Sequence, residues 1–163
     1  MAVTIRSMTT SEFERFYQWS ITHQAKELMD QLQLSEEAAT KKAVAEVAEM
    51  LPDGIHTAHH YLISIEADGW DETVGFIWML HEEFEGKKQS FLCDFAIWEE
   101  HRRKGYATAA LHLAERHAVE TGCCESILFV SDDNEAARAF YHKNGYHVLR
   151  KHDYGRFMVK QLV

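Results

Sequence analysis

A single proline, Pro52, and eight glycines in 163 residues leave no room for a long disordered linker, so one domain spanning residues 1–163 is expected. The three cysteines, Cys93, Cys123 and Cys124, are an odd set with two adjacent in sequence. That is a poor disulfide framework and points to a reducing, cytoplasmic setting. No apolar run approaches the length of a membrane span, and the opening Met-Ala-Val-Thr-Ile-Arg is not a signal peptide, so no membrane role is expected. Positive charge is scarce: 17 Lys and Arg stand against 26 Asp and Glu, and the formal net charge of −9 argues against nucleic-acid binding. Repeats, low-complexity tracts, a glycine-rich P-loop and a dinucleotide-binding fingerprint are all missing. His56, His59 and His60 crowd one loop, but no cysteine or carboxylate completes a ligand set, so no metal is expected.

What is present alternates in type. Residues 3–7 read as a strand, and Thr9, Thr10 and Ser11 offer N-caps to a helix carrying Phe13, Phe16, Tyr17, Ile21, Leu28 and Leu32 at helical spacing. Trp19 falls off that stripe and reads as a surface ring rather than a pocket wall. Ser35 caps a second helix that ends at Pro52-Asp53-Gly54. Strands follow at 60–66, 73–81 and 89–98, with 82–88 as a charged hairpin loop. The second half reads as a helix from Tyr106, a strand at 126–131, a helix to Lys143 closed by Asn144-Gly145, and a hairpin of 146–151 and 156–161 around Asp153-Tyr154-Gly155. The expected class is α/β: a mixed, mostly antiparallel sheet of about seven strands with about four helices.

The junction at residues 97–110 carries the first chemistry. An apolar strand runs into Arg102, Arg103 and Lys104, then Gly105, and a helix opens at Tyr106. The first N–H groups of a helix lack intrahelical partners and carry partial positive charge, so such a junction can take a phosphate. Taken alone it is equally a solvated basic turn before an ordinary helix.

A second stretch changes the balance. Arg102-x-x-Gly105-x-Ala107 is followed, after an intervening strand, by Asn134-x-x-Ala137-x-x-Phe140-Tyr141-x-Lys143-x-Gly145-Tyr146. In this order, and with Val74-Gly75-Phe76 on the third strand, the chain resembles the GNAT acetyltransferase superfamily over nearly its whole length. The resemblance implies a GNAT acyl-CoA N-acyltransferase fold with acetyl-CoA as co-substrate. It assigns the pyrophosphate to the backbone and cations of Arg102, Arg103, Lys104, Gly105, Tyr106, Ala107 and Thr108. It assigns the pantetheine arm to the backbone at Phe95 and Ile97, by strand augmentation. Asn134, with Ala137 beside it, matches the asparagine that contacts the cofactor arm, though Asn134 is also a natural helix cap. Arg138 reads as a plain surface arginine.

Tyr141 matches the tyrosine that many members place near the cofactor sulfur, where a phenol can protonate the leaving thiolate. Its bland role is a half-buried aromatic packing on Phe129. Asp94 is the best candidate for the base, because a carboxylate inside Phe-Leu-Cys-Asp-Phe needs a partner or a wet cleft. Its alternative is a satisfied polar residue, and Cys93 should pack inside. Nothing marks any cysteine as an activated nucleophile. The function expected is transfer of an acetyl group to a primary amine by direct attack. The rival is a non-catalytic acyl-CoA sensor of the same fold. The acceptor, a small molecule or a peptide amine, is not named by the sequence. Residues 13–34, 52–60 and 151–156 are the stretches expected to select it. The family also makes a homodimer an expected assembly.

Overall fold

The computed structural model describes residues 2–163, which form two compact units. The smaller comprises Met8–His60. Its first helix, α1 (Thr10–Leu32), opens with a complete capping box: Glu12 N–H donates to the Thr9 hydroxyl, and Thr9 N–H donates to the Glu12 carboxylate. Gln33, in the left-handed region at φ 56°, ends it. Ser35 caps α2 (Glu36–Met50), which folds back on α1, and Gln24 of α1 hydrogen-bonds Glu46 of α2. Trp19 stacks on His23 one turn along the same helix, a local helical role.

The larger unit holds β1 (Val3–Ser7) and everything from Tyr61 onward. Seven strands form one sheet in the order β1-β2-β3-β4-β5-β7-β6. They are β1, β2 (His60–Ala67), β3 (Gly75–Phe84), β4 (Lys87–Ile97), β5 (Glu125–Ser131), β6 (His147–Lys151) and β7 (Gly155–Gln161). The pair β4–β5 is parallel, while β1–β2, β3–β4, β5–β7 and β6–β7 are antiparallel. Helix α3 (Tyr106–Glu120) makes the crossover from β4 to β5, and α4 (Glu135–Lys143) follows β5. Ile63, Ile65, Ile77, Met79, Leu92, Leu128, Val130 and Met158 of the sheet pack with Ala110, Leu111 and Ala114 of α3 in one core.

The charged loop expected at 82–88 is mostly strand. β3 continues to Phe84 and β4 resumes at Lys87, leaving Glu85 and Gly86 as the turn. Opposite charges across the ladder, Glu83 facing Lys88, suit an exposed hairpin end.

One irregularity interrupts β4. In the β3–β4 ladder, Trp78 faces Asp94 but Met79 faces Leu92, so Cys93 is an extra residue in β4. Leu92 and Phe95, three residues apart, therefore both lie toward the α3 core, which regular alternation forbids. By the same shift Asp94 shares the opposite face with Phe91. The expected alternation through Cys93 and Asp94 is broken.

Candidate active site

The ladder between β4 and β5 stops at Leu92 opposite Leu128. Beyond that point β4 stays with β3 as far as Gly75–Ile97, and β5 stays with β7 as far as Ser131–Gly155. The two central strands therefore part, and the end of β4 has no strand beside it on the β5 side.

Phe95 lies in this opened stretch, and its N–H donates to the Asp94 carboxylate oxygen Oδ1 at 3.1 Å. The Asp94 carboxyl group thus occupies an N–H of the opened stretch. Ile97 closes β4, and its carbonyl accepts from Arg102 Nε at 2.9 Å. Arg102 is accordingly a tie between strand and loop as well as a cation.

The loop then turns through two left-handed residues, Arg103 at φ 64° and Gly105 at φ 82°. A Cβ at Gly105 would meet no atom within 4 Å, so its glycine serves the backbone angle and leaves the approach clear. Gly105 is also the N-cap of α3, and no side chain caps this helix. Ala107 and Thr108, in its first turn, are small, while Arg102, Arg103 and Lys104 stand exposed around it. An uncapped helix start ringed by cations suits a pyrophosphate.

The side chain of Tyr106 turns away from this helix start: its ring is buried and its hydroxyl accepts from Trp70 Nε1 at 2.8 Å. Beneath the loop His101 is fully buried, with Nε2 3.2 Å from Glu72 Oε1 and its ring edge-on to Trp70 at 4.3 Å. The sequence reading missed this support from Trp70, Glu72 and His101. Its only signal was a histidine next to three cations.

Across the opening, Asn134 caps α4 by accepting from Ala137 N–H at 3.1 Å, so its capping role is realised. Arg138 is less plain than expected. Among the described residues it has one ion pair, a 3.9 Å contact with the exposed Glu135, and its Nε is buried without a hydrogen-bond partner. The Tyr141 ring meets Phe140 and Tyr146, whereas Phe129 meets His152 and Phe157. Tyr146 is itself anchored by hydrogen bonds to Glu115 at 2.9 Å and Ser126 at 2.8 Å. Burial pushes the Tyr141 phenol far above its ordinary range, and the negative charge of Asp94 adds to the shift. The phenol therefore holds its proton at neutral pH and senses the carboxylate on β4.

Burial also raises the thiols of Cys93 and Cys123, the wrong direction for a nucleophile. Among the described residues no group of three or more His, Cys, Asp or Glu is arranged to hold a metal ion. No helix there is long and apolar enough to cross a membrane.

This geometry has counterparts. The family model described as "Acetyltransferase (GNAT) family" matches residues 13–146. The chain belongs to the GNAT acetyltransferase family. Among relatives, the uncharacterized N-acetyltransferase YdgE of Bacillus subtilis (strain 168) is 32% identical over 146 residues, covering 90% of this chain and 92% of that protein. The crystal structure of the acetyltransferase YycN from Bacillus subtilis superposes with a TM-score of 0.83 at 28% identity, covering 93% of this chain and 94% of that one. The PaiA N-acetyltransferase of Thermoplasma acidophilum, solved in complex with coenzyme A, shares the fold with a TM-score of 0.75 at 21% identity over 99% of both chains. This GNAT protein is an N-acetyltransferase that uses an acyl-CoA as co-substrate and acts on an amine acceptor.

Proposed function

We propose that the whole chain works as one acetyltransferase domain, a cytoplasmic enzyme that moves acetyl from acetyl-CoA to a primary amine in a single direct attack. The observation that carries the reading is the end of the β4–β5 ladder at Leu92 and Leu128, next to an uncapped α3. A pantetheine arm, with its own amides, would take the place of the missing strand along Phe95 and Ile97. The pyrophosphate would rest on the start of α3 among Arg102, Arg103, Lys104, Gly105, Tyr106, Ala107 and Thr108. Asn134 and Ala137, at the start of α4, would border the arm. The three cysteines are free thiols, in keeping with a reducing compartment.

The acceptor ammonium must first lose a proton, and in this reading Asp94 takes it. The amine nitrogen then bonds to the acetyl carbonyl carbon, and backbone N–H in the 95–97 stretch stabilises the oxyanion, that of Phe95 once the protonated Asp94 carboxyl releases it. Collapse breaks the carbon–sulfur bond, and Tyr141 gives its proton to the departing thiolate. The two groups are coupled. Once Asp94 is protonated, its charge no longer holds the Tyr141 proton in place, so the phenol becomes a better acid when a proton is needed. Calorimetry with acetyl-CoA, paired with free-thiol release over an amine panel, tests the reading. Saturable binding with amine-dependent release is expected. No heat at about 1 mM acetyl-CoA would refute it.

A further inference from the structure

The side of the sheet away from α3 carries an aromatic platform at the point where β4 and β5 part. Phe129 is the first β5 residue beyond the end of the β4 ladder, and it is 39% exposed. Its ring lies 5.1 Å from that of Phe157, its partner across β7. Phe91 of β4 approaches Phe157 at 6.4 Å. His152 stands edge-on to Phe129 at 6.1 Å and to Phe157 at 6.4 Å. Gly155 makes room for the platform, since a Cβ there would fall 2.6 Å from Phe129 Cζ. The bulge at Cys93 puts Asp94 on this same face.

Charge is the second observation. In a chain of net charge −9, residues 147–156 hold Arg150, Lys151 and Arg156 against Asp153 alone. Arg156 is committed to Asp132 at 2.9 Å. Arg150 faces Phe157 in the β6–β7 register, with its guanidinium 4.8 Å from that ring centroid. No carboxylate among the described residues pairs with it. A cation held over the edge of an aromatic surface is complementary to an anion carried on a flat apolar group.

We infer that Phe129, Phe157 and Arg150 form an acceptor subsite selecting a primary amine on an aromatic body that also bears a carboxylate. The inference rests on the acetyl-transfer reading and names the class of acceptor for it. The ring packs against the exposed Phe129, which Phe157 braces edge-on, the carboxylate pairs with Arg150, and the amine is left toward Asp94. A polyamine is disfavoured, because it would place positive charge against Arg150 and has no ring to stack.

The test compares free-thiol release from acetyl-CoA with 4-(aminomethyl)benzoate, benzylamine and spermidine. The expected kcat/KM falls in that order, by about tenfold at each step. Phe129→Ala should raise KM for both aromatic amines about tenfold and leave KM for acetyl-CoA unchanged. Arg150→Gln should erase the advantage of the carboxylate, bringing the benzoate-to-benzylamine ratio to about one. Arg150 is exposed, so that variant reads recognition rather than folding, and melting curves check both proteins. Spermidine as the best acceptor, or a ratio untouched by Arg150→Gln, overturns the inference. So does acetyl-CoA binding without turnover of either aromatic amine. Failure to bind acetyl-CoA instead overturns the reading beneath it.

Discussion

Tyr141 and Asp94 come from different elements, α4 and β4, yet the carboxylate charge reaches the phenol. On the proposed roles, Tyr141→Phe should lower kcat about 100-fold with KM for acetyl-CoA nearly unchanged, read from steady-state kinetics. Asp94→Asn should also lower kcat, by about 10- to 100-fold, read from the same steady-state kinetics. The phenol itself supplies no alkaline limb in the working range, because burial keeps it protonated there. The sequence named both side chains. It could not show that they influence one another, because 46 intervening residues separate them in the chain.

At the scale of elements, the expected order of strands and helices is realised, and the misreadings fall where tertiary contacts outweigh local pattern. Gly155 read as a turn residue, yet it opens β7 and is required by close approach. A Cβ there would lie 2.4 Å from the Val130 carbonyl oxygen. Gly155→Ala should destabilise the fold by about 1–3 kcal/mol, measured by denaturant unfolding, because the β5–β7 ladder must shift to admit it. The bulge at Cys93 was equally hidden. Phe-Leu-Cys-Asp-Phe alternates acceptably as a plain strand, and only pairing with β3 shows that one residue is extra. The junction before α3 was legible because glycine, small residues and cations are local features. Its footing on His101, Glu72 and Trp70 was not, because those contacts close over about thirty residues.

At the scale of the whole molecule, stability should depend on a second histidine site in the larger unit. His81 is buried, its Nδ1 lies 3.0 Å from the Thr121 hydroxyl, and its ring packs on Tyr61 at 4.4 Å and His117 at 5.6 Å. Burial, then the neighbouring His117 and Lys88, lowers its pKa to about 4. His117 shifts in the same direction, by burial, with Glu120 opposing. Because the folded pKa lies below the ordinary 6.5, the unfolded chain binds protons first as pH falls. Stability from this site is complete above the unfolded value and is lost between about pH 6.5 and 4. Thermal melting across that window should show a falling Tm, and His81→Phe should flatten the slope.

The sequence by itself determined the element order and the basic strand–helix junction, which follow from periodicity, capping and turn chemistry acting within a few residues, and its two motifs carried the resemblance to the family. Tertiary structure decided where the β4–β5 ladder ends, which face Asp94 occupies, and which rings stand beside Phe129. Each of these is a matter of register between strands distant in sequence. One extra residue in β4 reverses the facing of every side chain after it, and no local preference records that choice.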